Sequence, residues 1–110
     1  MRAVIMTVSA DLQPRFERCL PPEHRVRAQR TLDDARLVEL IVEGPMLPEV
    51  VDGAYARGDV QLTMHTDEDA GVLRLEGCWR VWEPASQVGM SEVWEVGHWS
   101  SVADMMDFMR

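Results

Sequence analysis

Lysine and asparagine are missing altogether from this chain of 110 residues, and all eleven of its cations are arginine. Both missing residues have AT-rich codons, so the absence reports a GC-rich genome rather than a selected function. Cysteine is scarce: Cys19 and Cys78 lie far apart and form no CxxC pair. That excludes a disulfide scaffold, and in a reducing compartment it leaves two thiols, one of them in the core. Long apolar runs are lacking too. The run near the start, Ala3 to Met6, is far too short for a signal peptide or a membrane span, which makes the cytoplasm the expected compartment. The seven glycines are scattered and build no phosphate-cradling loop, which argues against the common nucleotide-binding enzymes.

What is present suffices for one domain spanning residues 1–110, since 46% hydrophobic residues can bury a core without a metal or disulfides. The net charge of −8 is unevenly spread. Residues 1–36 carry seven arginines against five acids, and residues 37–110 carry four against fourteen. The second part repels a phosphate backbone and attracts a basic surface, although acidity also keeps ordinary small proteins soluble.

Hydrophobic periodicity gives the elements. Val4, Met6 and Val8 mark a buried strand, and Leu12, Phe16, Cys19 and Leu20 form one stripe of a helix over 11–20 capped by Asp11. Strands follow over 25–31 and 37–43 around an Asp33-Asp34 turn, with Arg25 and Arg27 on one face of the first and Arg30 on the other. Pro48 opens a helix that ends at Gly58, with Gly53 as its weak point. The clearest element is a hairpin, in which Val60, Leu62 and Met64 alternate with polar residues and Leu73, Leu75, Trp79 and Val81 answer them. Leu62, Met64, Leu75 and Trp79 are expected inside, Gln61, Thr63, Arg74 and Glu76 outside, and Gly77 at a bulge. Residues 83–91 read as loop, 92–99 as a strand, and the end as a helix with a Ser101–Asp104 capping pattern. The fold class is α+β with a mainly antiparallel sheet. The order β-α-β-β-α-β matches the ferredoxin-like order, extended by a hairpin strand and a C-terminal helix.

Three places carry chemistry. His65 with Asp67, Glu68 and Asp69 is the densest group of metal-ligand types, but no second ligand stands at motif spacing, and a hairpin turn is polar anyway. No metal or cofactor is therefore expected. Cys78 and His65 share the polar side of the hairpin and would make a thiol–imidazole pair if the register brought them together. Arg15 to Arg36 form a diluted basic patch without interleaved aromatics, a poor nucleic-acid footprint. All four tryptophans, Trp79, Trp82, Trp94 and Trp99, fall in the C-terminal third with Met90, Met105, Met106 and Met109.

The reading that joins these features is a non-enzymatic interaction module, an inhibitor or adaptor that docks on a basic, nucleic-acid-handling protein. Asp67, Glu68 and Asp69 supply its charge and Trp82, Trp94 and Trp99 its anchors, with neither nucleic acid nor membrane as direct partner and a homodimer through the C-terminal third. The alternatives are a small enzyme using Cys78 and His65, or a ferredoxin-like domain binding a small molecule between sheet and helices.

Overall fold

A computed structural model describes residues 1–32, 34–83 and 93–110, apart from the side chains of Trp82 and Glu83. The elements are β1 (Ala3–Ser9), a 3-10 turn (Ala10–Leu12), α1 (Gln13–Arg18), β2 (Arg25–Leu32), β3 (Leu37–Glu43), β4 (Ala56–Asp67), β5 (Val72–Glu83), β6 (Val93–Trp99) and α2 (Val102–Met109). The six strands form one sheet in the order β2-β3-β1-β4-β5-β6, antiparallel except where β1 meets β4. The α+β class stands. Asp33, expected in the β2–β3 turn, residues 84–91 of the expected loop, and Glu92, expected to begin the last strand, lie outside the described residues.

The expected helix over 48–58 does not form. Asp52 and Gly53 both take left-handed backbone angles (φ 54° and 73°), and Ala54 N–H donates to Val51 O at 2.9 Å. Two such residues in a row close a tight hairpin turn, for which Asp-Gly is a strong local signal, and they cannot lie inside a right-handed helix. The segment instead runs beside the start of β1 in an isolated antiparallel bridge between Arg2 and Glu49, where Ala3 N–H donates to Pro48 O and Val50 N–H to Met1 O. Leu47 is fully buried there. Without a crossover helix to carry the chain back along the sheet, β4 enters beside β1 and runs parallel to it. The full ferredoxin-like order is thus not reached.

One face of the sheet carries the core: Val4 and Met6 of β1, Val38, Leu40 and Val42 of β3, and Trp79 and Val81 of β5. The pairs Val4–Val42 and Met6–Leu40 lie directly opposite one another. α1 covers this side with Phe16, next to the buried Cys19, and is shorter than its stripe suggests because the 3-10 turn takes Asp11. Pro14 lies in its first turn. α2 is capped as expected, with Ser101 Oγ accepting from Asp104 N–H at 3.2 Å. Its inner side packs Phe108 on Trp99, and Met109 Sδ lies 3.7 Å from Cys19 Sγ. Among the described residues no helix is long and apolar enough to cross a membrane.

Helices of six and eight residues are only about 9 and 12 Å long, whereas each twelve-residue strand of the β4–β5 hairpin runs about 40 Å. The hairpin is therefore several times longer than either helix. The radius of gyration, 15.1 Å, exceeds the roughly 13 Å of a compact domain this long.

Candidate functional site

The hairpin pairs in one continuous register from Gly58–Val81 to Asp67–Val72. Gln61, Thr63 and Arg74 are exposed and Leu75 and Trp79 buried, as expected, whereas Glu76, expected outside, is partly buried. Leu62 and Met64 face the helix side but are not buried as expected: they are 39% and 52% exposed, and Leu62 lines a cleft rather than the packed core. Gly77 marks no bulge in this ladder. It lies opposite Trp94 of β6, and a Cβ there would stand 2.5 Å from the indole, so the glycine makes room for the ring.

β1 and β4 are paired only at Val4–Ala56 and Ile5–Arg57. Beyond Arg57, β4 is paired with β5 alone among the described residues, which leaves its other edge without a strand partner there. Where the two strands part, they leave a cleft of about 420 Å³ walled by Met6, Val8, Phe16, Val60, Leu62 and Met109. Arg15 lies at this cleft, and Asp59 beside it is held by Arg80 through two hydrogen bonds of 2.8 and 2.6 Å. That pairing pushes the guanidinium further above its ordinary pKa.

At the turn of the hairpin, Asp67 Oδ1 accepts from Ala70 N–H at 3.1 Å and shapes the turn. Asp67 and Glu68 border a shallow recess that also contains Ser101 and the exposed Val102 of α2. Met64 and Leu62 precede the acidic turn on the same strand, Met64 opposite Leu75 and Leu62 opposite Gly77. Among the described residues, no group of three His, Cys, Asp or Glu is placed to hold a metal ion.

The open face of the sheet carries its charges in cross-strand pairs. Arg25 and Arg27 both bond Glu43, Arg30 bonds Glu39, and Glu76 lies 3.6 Å from His65 and 3.9 Å from Arg74. Arg30 was expected on the face opposite Arg25. A bulge between Val26 and Ala28 inserts one residue in β2, reverses the phase, and brings Arg30 to the same side. The N-terminal arginines of β2 are therefore spent on carboxylates rather than gathered into a free basic patch.

His65 and Cys78 share this face but not a row. His65 is opposite Arg74 and Cys78 opposite Gln61, which sets the two about four residues, or roughly 13 Å, apart along the hairpin. No thiol–imidazole pair forms. Cys19 is buried beneath α2; burial raises its thiol pKa, against a smaller opposing pull from Arg18, and leaves it a poor nucleophile.

The expected aromatic anchors separate. Trp94 is not on the surface: it is 9% exposed, its ring lies 5.4 Å from that of Trp79, and its N–H donates to Cys19 O. Its neighbours in sequence, Val93 and Glu95, take the exposed positions instead. Trp99 is half-buried against Phe108 and opposite Leu73. Trp82 belongs to β5, and its side chain lies outside the described residues. What the sequence did not disclose is that β4 parts from β1 after Arg57, because no local signal reports where a ladder ends.

No protein-family model, curated protein or solved structure matches this chain.

Proposed function

We propose that this chain is a non-enzymatic interaction module of the cytoplasm that docks on a protein with a basic surface, as an inhibitor or adaptor of a nucleic-acid-handling partner. The observation that carries this is the turn half of the hairpin, where Met64 and Leu62 are exposed on the strand that leads into the Asp67-Glu68-Asp69 turn. Solvated acids act together over about a Debye length, roughly 8–10 Å, and speed the approach of an arginine- or lysine-rich surface. Each exposed ion pair contributes only about 0–1 kcal/mol, so affinity has to come from apolar side chains that become buried. Leu62, Met64 and the half-buried Trp99 are available for that, and the acidic turn disfavours a phosphate backbone.

The test is association kinetics on the partner captured from the native host. Replacing Asp67, Glu68 and Asp69 by their amides slows association and flattens its salt dependence, while Met64→Ala speeds dissociation. Tight nucleic-acid binding at physiological salt, or partner binding indifferent to ionic strength, overturns the reading.

One observation favours a second reading, a small-molecule-binding domain. The cleft between β1 and β4 has the size of a ligand pocket, about 420 Å³ against the usual range of about 300–1,000 Å³, and its walls are mostly apolar. A metabolite screen by thermal shift tests it, with Leu62→Arg as the blocking variant.

A further inference from the structure

Open strand edges are hazardous, and folded proteins protect them with charges, bulges or a cover. The two outermost strands of this sheet follow that rule. β2 carries Arg25, Arg27 and Arg30 and a bulge at Val26/Ala28; β6 is seven residues long, carries Glu95 and His98, and pairs through a register shift. The edge of β4 that is unpaired beyond Arg57 among the described residues does not follow it. From Val60 to Thr66 the strand reads Val-Gln-Leu-Thr-Met-His-Thr, with no proline, no aspartate, glutamate or arginine, and no register shift against β5. Lysine, the commonest guard of such an edge, is absent from the whole chain.

We propose that this β4 edge is a strand-addition site that takes an extended, basic-flanked segment of a partner protein. The proposal rests on the docking reading above and gives it a binding mode. Main-chain hydrogen bonds to an exposed edge supply affinity, and alternate side chains supply selectivity. One side of the added strand would meet Leu62 and Met64 and so be apolar; the other would meet Gln61, Thr63 and His65 and so be polar. The run is bracketed by Asp59 and Asp67, with Glu68 and Asp69 immediately beyond, so arginine or lysine suits the end of the segment that lies beside the turn. Toward Arg57 the edge continues into the cleft, whose Met6, Val8 and Phe16 offer a place for one apolar anchor.

Charge also chooses between occupants. A second copy of this chain brings a second net charge of −8 to the same edge. In parallel register it lays one Asp67-Glu68-Asp69 turn beside the other, and in antiparallel register it sets Asp67 toward Asp59. A basic-flanked segment meets no such opposition.

The experiment selects binders to the full chain from a random-peptide display library and then examines them as synthetic peptides. The expected peptides alternate apolar and polar residues and end in arginine or lysine. Their binding slows amide exchange at alternate residues of Val60–Thr66, and Met64→Lys abolishes it while leaving the Tm unchanged. Methylating one edge-facing peptide amide weakens binding about tenfold, and methylating its neighbour does not. Peptides with helical spacing that ignore amide methylation, or the absence of any binder, overturn strand addition. If such helical peptides are basic and salt-sensitive, docking on a basic partner survives without it. Strand-forming peptides with no basic preference and no salt dependence support strand addition and overturn the basic partner. A dimer in sedimentation that Met64→Lys dissociates overturns the assigned occupant in favour of a second copy.

Discussion

The indole N–H of Trp94 donates to the backbone carbonyl of Cys19 at 2.9 Å, a buried bond between residues 75 apart in sequence. It ties β6 to the end of α1, and the space for the ring is the missing side chain of Gly77 on the next strand. Trp94→Phe keeps most of the packing but leaves the Cys19 carbonyl unpaired, and should destabilise by about 1–3 kcal/mol. Gly77→Ala forces the ring aside and should lose a similar amount, about 1–3 kcal/mol. Urea denaturation of the two variants and of the double variant checks this. The double variant should fall well short of the sum of the two losses, because both changes act on one ring.

Met64 and Leu75 are direct partners across the hairpin and face the same side, yet one is 52% exposed and the other 7%. Burial, not pairing, decides what each contributes. Leu75→Ala should cost about 2–5 kcal/mol, whereas Met64→Thr should stay within about 0.5 kcal/mol of the parent protein. Equal losses in thermal or denaturant unfolding would mean that the hairpin end is covered in solution.

Arg25 Nε and Arg27 Nη1 donate to the two oxygens of Glu43 at 2.6 and 3.1 Å, and these bonds hold its carboxyl below the ordinary carboxylate pKa. A group with a lowered folded-state pKa binds its proton less readily folded than unfolded. Its stabilising contribution is therefore complete above the unfolded pKa, near 4.3, and is lost as pH falls through the folded value. The Tm of Glu43→Gln should fall less than that of the parent protein between about pH 5 and pH 2. Identical acid limbs would show that the two arginine bonds do not persist in solution.

Much of the fold was legible residue by residue. Alternation located all six strands, and in β3 the face as well, at Val38, Leu40 and Val42, because in an unbroken strand a side chain's side of the sheet follows from its position. Ser101 announced the start of α2 for an equally local reason, its hydroxyl reaching Asp104 N–H three residues on. Asp52-Gly53 was just as local a signal, and reading Gly53 as a flaw in a helix rather than half of a turn misplaced that segment.

Which strands become neighbours, and for how far, was decided by tertiary structure. Two pairs joining β1 to β4, one inserted residue in β2 and a four-residue offset between His65 and Cys78 produce the cleft, the paired arginines and the separated thiol and imidazole. None of these alters the hydrophobic pattern within its own strand. Trp94 shows the same limit, since a large ring beside exposed neighbours reads as an anchor until Gly77 and the Cys19 carbonyl meet it in space. Periodicity sets the direction in which a side chain points; only the packing of distant segments sets what it finds there.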